Sequence, residues 1–79
     1  MTNEFQQEVI NELEELNYRA AKLRSKLIQN LNFHSSIKNE ACEVLAPLGR
    51  AEGDLTSCKH RFKAYVRFLE GKGFNNGTL

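Results

Sequence analysis

The sequence predicts an all-α protein: an antiparallel helical hairpin, completed by self-association into a helical bundle. Three observations carry this expectation. First, Ile37, Ala41, Val44, Leu48, Ala51, Leu55, Cys58, Phe62, Tyr65 and Leu69 recur at alternating steps of four and three residues. That is the 3.5-residue period of a helix committed to one long helical neighbour. Second, Val9, Leu13, Leu16, Ala20, Leu23 and Leu27 repeat the pattern near the N-terminus. Third, the charges run in the same order, acidic then basic, along the two stretches. Glu4, Glu8, Glu12, Glu14 and Glu15 precede Arg19, Lys22, Arg24 and Lys26, and Glu40 and Glu43 precede Lys59, Arg61, Lys63 and Arg67. In an antiparallel pair the acidic half of the first stretch meets the basic half of the second, whereas parallel packing would set like charges together.

The first helix is expected over about residues 3–30, a length of roughly 42 Å at 1.5 Å per residue. Asn3 as N-cap with Gln6 three residues on reads as a capping box, and Glu4 and Glu8 suit the positive end of the helix dipole. Ile10, Ala21, Ile28 and Leu31 widen its apolar stripe. The segment Leu31-Asn32-Phe33-His34-Ser35-Ser36 is the turn, with Asn32 at the helix exit and Ser35 or Ser36 as the next N-cap. A connection this short between helices forces them to lie antiparallel.

The second helical region, about residues 36–70, admits two arrangements. Pro47, Gly49 and Gly53 argue for a break, since an interior proline costs roughly 3 kcal/mol and an interior glycine about 1 kcal/mol relative to alanine. In that arrangement Pro47-Leu48-Gly49 ends a short helix and Asp54 caps another. The unbroken heptad phase argues for one helix kinked at Pro47, and the phase has the better claim, because a loop has no reason to preserve it. Cys42, Ala46, Gly49 and Gly53 form a row of small residues that suits close approach of another backbone. Residues 1–73 make a single domain. Gly71 and Gly73 end the last helix, and residues 74–79 read as a flexible tail.

Folding about residue 33 sets residue i beside roughly residue 66 − i, so the first helix covers the second region only to about residue 63. Phe62, Tyr65, Val66, Phe68 and Leu69, at or beyond that limit, are the expected oligomer interface. Leaving several large side chains in water forfeits roughly 1.5–3 kcal/mol each, and a second copy of the chain is the simplest cover.

Bulk properties narrow the function classes. Seventy-nine residues with a net charge of +1 make one small domain with no overall bias toward polyanions. No apolar stretch is long enough for a membrane span and the N-terminus lacks a signal peptide's pattern, so a cytoplasmic protein with no membrane partner is expected. Cys42 and Cys58 would stand roughly 24 Å apart on one helix, far beyond the roughly 7 Å of a disulfide, and read as buried thiols. Cys58-Lys59-His60 with His34 and Cys42 lacks the paired spacing of a zinc site, and two residues of separation turn Cys58 and His60 about 200° apart on a helix. The same geometry argues against a Cys–His nucleophile, and Gly49 and Gly53 do not form a phosphate loop. Neither metal nor cofactor is expected, and no enzyme.

Lys59, Lys63 and Arg67, at i, i+4 and i+8, with Arg61 form a basic ridge beside aromatic residues, the one candidate binding site. The leading expectation is a small non-enzymatic helical interaction protein that binds itself and a protein partner. Its build suits the oligomeric regulators and inhibitors of phage and other mobile elements. Two alternatives are nucleic-acid binding by the ridge and capture of a small anion such as a nucleotide at a subunit junction near Arg50, Lys59 and Tyr65.

Overall fold

The computed structural model describes residues 2–73. Two helices make up almost all of it: α1, Asn3–Asn30, and α2, Lys38–Gly71. They pack against each other as an antiparallel hairpin, a ribbon with principal extents of 59 × 18 × 12 Å. The expected tail, 74–79, lies outside the described residues.

Local chemistry sets the ends. Thr2, not Asn3, caps α1: its extended backbone leaves the side chain free to accept a hydrogen bond from the Phe5 amide at 3.1 Å. The capping residue is therefore one position earlier than the capping-box reading. The turn is organised around His34. Its amide donates to the Asn32 side chain (2.8 Å), its ring nitrogen accepts from the Ser36 amide (3.2 Å), and its carbonyl accepts from the Ile37 amide (2.9 Å). Ile37 is the N-cap of α2 and makes no side-chain capping bond. The serines expected to cap α2 sit two and one residues too early, and Ser36 is used within the turn instead. At the far end the Gly73 amide donates to the Glu70 carbonyl, with φ at +88°, a conformation that glycine adopts without steric cost.

Pro47 lies inside α2, so residues 38–71 form one helix rather than two. The proline removes one amide donor, the one that would serve the Glu43 carbonyl. Both residues are exposed, so water can take the vacant position. Gly49 and Gly53 have nothing within 4 Å of a notional Cβ. The row of small residues is thus not a close-approach surface within the chain.

The seam between the helices departs from the expected stripes. The covered positions on α1 step through Gln6, Ile10, Leu13, Asn17, Ala20, Arg24, Leu27 and Leu31. On α2 they step through Ala41, Leu45, Leu48, Glu52, Leu55, Lys59, Phe62, Val66 and Leu69. Each helix keeps one predicted row, Leu13, Ala20 and Leu27 on α1 and Ala41, Leu48, Leu55, Phe62 and Leu69 on α2. The other row moves by one residue. Asn17 and Arg24 replace Leu16 and Leu23; Leu45, Glu52, Lys59 and Val66 replace Val44, Ala51, Cys58 and Tyr65. Each helix is rotated by roughly 50° from the predicted contact line.

The rotation brings together polar tips that find partners. Asn17 donates to the Thr56 hydroxyl at 2.8 Å, and that hydroxyl donates to the Glu52 carbonyl at 3.1 Å. Arg24 grips Glu52 through two nitrogens at 2.6 and 3.4 Å, and Lys59 reaches Glu14 at 3.8 Å. The Glu52 side chain is only 17% exposed. Its hydrogen bond, and then its charge, raise the Arg24 guanidinium above its ordinary pKa. By sign this favours the folded state at every pH below arginine's own value and is lost only as pH climbs through the raised one.

These contacts also correct the register. Asn17 with Thr56 and Glu14 with Lys59 set residue i beside residue 73 − i, one heptad away from the expected pairing. The first turn of α2 therefore extends past the end of α1, and the N-terminus of α1 reaches the last turn of α2. Val66 and Leu69, expected to overhang, are half-buried, as is Phe62. Tyr65 and Phe68 are exposed at 48% and 58% because of the side of α2 they occupy, not because α1 stops short.

Candidate interaction surface

A hairpin one helix thick has two broad faces, and the rotated seam makes them chemically different. For antiparallel helices joined along rows a and e of the heptad, both d rows emerge on the same face of the ribbon. Here those rows are Val9, Leu16 and Leu23 on α1 and Ile37, Val44, Ala51, Cys58 and Tyr65 on α2. Phe5 and Phe68 stand beside them in the adjoining g rows. Leu16 and Leu23 are each 49% exposed and Val44 48%. The opposite face carries the polar bridges among Glu14, Asn17, Arg24, Glu52, Thr56 and Lys59.

Ala41, at 6% exposure, is the buried core among the described residues. Shallow open grooves indent the described surface. One, about 620 Å³, is lined by Asp54, Ser57, Cys58, Arg61, Phe62 and Tyr65. A second runs along Leu31, Asn32, Ile37, Glu40, Ala41 and Val44, and a third along Glu12, Glu15, Leu16 and Arg19. Large apolar side chains exposed in two aligned rows are suited to packing against another helix.

Of the expected basic ridge, Lys59, Lys63 and Arg67 follow one strip of α2, and Arg61 does not join them. Lys59 lies in the seam with its ammonium beside Glu14. Arg61, two residues on, emerges beside the apolar face and lines the groove with Cys58 and Tyr65. Lys63 and Arg67 are exposed on the polar side, level with the acidic half of α1. Of the proposed oligomer residues, Tyr65 and Phe68 are available, Phe68 with the Lys72 ammonium 5.6 Å over its ring. Phe62, Val66 and Leu69 are partly covered within the chain. Arg50, Lys59 and Tyr65, suggested for an anion, occupy three different sides of α2.

Both cysteines are exposed and free, contrary to the expectation of buried thiols. The cause is the rotation of the seam, which leaves Cys58 in the uncovered d row and Cys42 on the other flank. Among the described residues, no three of His, Cys, Asp and Glu gather as a set able to hold a metal ion. None of the described helices is long and apolar enough to cross a membrane.

Sequence reasoning missed Leu16, Leu23 and Val44 as surface residues, having placed all three in the intramolecular seam. The available signal was the competing row Asn17, Arg24, Glu52 and Lys59, whose polar tips find partners across the seam in Thr56, in each other (Arg24 with Glu52) and in Glu14. No family model, curated protein or solved structure matches this chain, so its functional reading rests on the apolar face.

Proposed function

We propose that the protein is a non-enzymatic helical interaction module that self-associates through its apolar face and, as an oligomer, regulates or blocks a partner macromolecule. One observation carries this reading: the chain buries Ala41 alone among its described residues, while Leu16, Leu23, Val44, Tyr65, Phe5 and Phe68 stand exposed on one side, against Tyr18 and Ile28 on the other. A helix pair in water has little to offset its conformational entropy unless those side chains are covered. A second copy is the cover always present at matching concentration. Binding of a protein partner then falls to the surfaces left outside the bundle.

The nucleic-acid alternative has less support, since Lys59 is engaged by Glu14 and Arg61 points away from Lys63 and Arg67. The nucleotide alternative requires Arg50, Lys59 and Tyr65 to be supplied by different subunits.

Light scattering across a concentration series tests the proposal. The expected mass is an integral multiple of the 9.0 kDa chain, with a melting temperature that rises with protein concentration. A well-folded monomer at all concentrations, with full helicity, would sink it.

A further inference from the structure

Building on the self-association reading, we propose how the second copy sits: lengthwise along the ribbon, with a two-fold axis parallel to the helices, so that α1 of one copy lies antiparallel over α2 of the other.

The argument comes from the g rows flanking the apolar face. On α1 that row reads Phe5, Glu12, Arg19 and Lys26; on α2 it reads Phe68, Arg61, Asp54 and Pro47. Under the register of 73 − i fixed by Asn17–Thr56 and Glu14–Lys59, these residues stand at matching heights. Phe5 is level with Phe68, Glu12 with Arg61, and Arg19 with Asp54. Within one chain the two rows lie on opposite outer edges and cannot touch. Glu12, Asp54 and Arg61 accordingly make no ion pair among the described residues, and Arg19 turns back to Glu15 on its own helix.

A lengthwise two-fold axis keeps every height and exchanges the edges. It sets Glu12 against Arg61 of the second copy, Arg19 against Asp54, and Phe5 against Phe68, as antiparallel helices pair g with g. In the d rows the same operation places Leu16 over Cys58, Leu23 over Ala51 and Val9 over Tyr65, larger residues over smaller or complementary ones. A crosswise axis would stack Cys58 on Cys58 and Leu16 on Leu16, and would leave Phe5 facing Lys26. The crosswise axis also pairs opposite charges, Glu12 with Arg19 and Arg61 with Asp54, so it is the Phe5–Phe68 pair at the end and the unlike pairs in the d rows that select the lengthwise arrangement.

Charge exchange tests it. Arg61→Glu breaks no contact within the chain. It should raise the dimer dissociation constant about tenfold or more in sedimentation equilibrium, with helicity by circular dichroism unchanged. Glu12→Arg combined with Arg61→Glu should return the constant to within about threefold of the parent. In a crosswise dimer the double variant would be worse than either single one, because Glu12→Arg would face Arg19 and Arg61→Glu would face Asp54.

Mild oxidation of a Cys42→Ala protein gives an independent reading. Lengthwise packing puts the two Cys58 residues diagonally across the bundle, beyond disulfide reach, so no rapid covalent dimer should form. Rapid Cys58–Cys58 cross-linking, or failure of the charge exchange to rescue, overturns the lengthwise arrangement while leaving self-association standing. A parent protein that stays monomeric overturns both.

Discussion

Ala41 is the most buried of the described residues, set where the start of α2 meets Leu31 and Asn32 of the connecting turn, and it is the residue least able to accept a charge. An Ala41→Asp substitution places a carboxylate at a position 6% exposed. Stability should fall by at least about 2 kcal/mol in urea unfolding. Ala64, exposed on the outer side of α2, supplies the control, since the same change there should stay within roughly 0.5 kcal/mol. If both substitutions cost the same, the seam is not where the stability lies. Asn17 has a different role. Its bond to Thr56 occupies a seam position that leucine could fill, and Thr56 would keep its second hydrogen bond to the Glu52 carbonyl. The asparagine contributes less to stability than to alignment.

Alignment is the concern at the scale of the helices, because a heptad pattern cannot tell one pairing from another displaced by seven residues. Leu13, Ala20 and Leu27 meet Leu48, Leu55 and Phe62 about equally well in either. What distinguishes the registers is polar: Asn17 with Thr56, Arg24 with Glu52, Lys59 with Glu14. Replacing Asn17 by Leu should therefore raise the melting temperature while broadening or doubling amide resonances, as a second register becomes populated. A single sharp spectrum at raised stability would show that Arg24 and Glu52 suffice alone.

The same blindness explains what the sequence could and could not reveal. The two helices, their antiparallel sense and the continuity through Pro47 follow from phase and charge order. The register did not, because phase is unchanged by a heptad and the sum of charges is nearly so. The face rotation was hidden too. Leu16, Leu23, Val44 and Tyr65 satisfy the period as well as the positions that form the seam, and only side-chain geometry shows which row the partner helix takes. Arg61 stands apart from Lys59, Lys63 and Arg67 for a related reason: it neighbours Lys59 in sequence, yet two residues on a helix point to nearly opposite sides.

At the scale of the molecule, the hairpin is a single layer where domains are normally built from at least two. Its apolar face and polar face divide the labour: one is available for another copy, and the other keeps the two helices in register. Lys63 and Arg67, outside the proposed bundle, remain open to whatever the assembled protein meets. A second copy would turn the layer into a four-helix arrangement in which every helix touches two neighbours.

The thinness of the ribbon has a calorimetric consequence. The heat-capacity increment of unfolding tracks the apolar surface that unfolding newly wets, and for a globular chain of this length it is about 1 kcal/mol/K. A lone ribbon with Ala41 as its buried residue has little dry surface to release, so its increment per chain should fall well below that figure. In a bundle the rows at Leu16, Leu23, Val44 and Tyr65 are dry before the transition, and the increment per chain should approach the globular value. Scanning calorimetry at high protein concentration thus measures, in one thermodynamic quantity, how much of that face is covered.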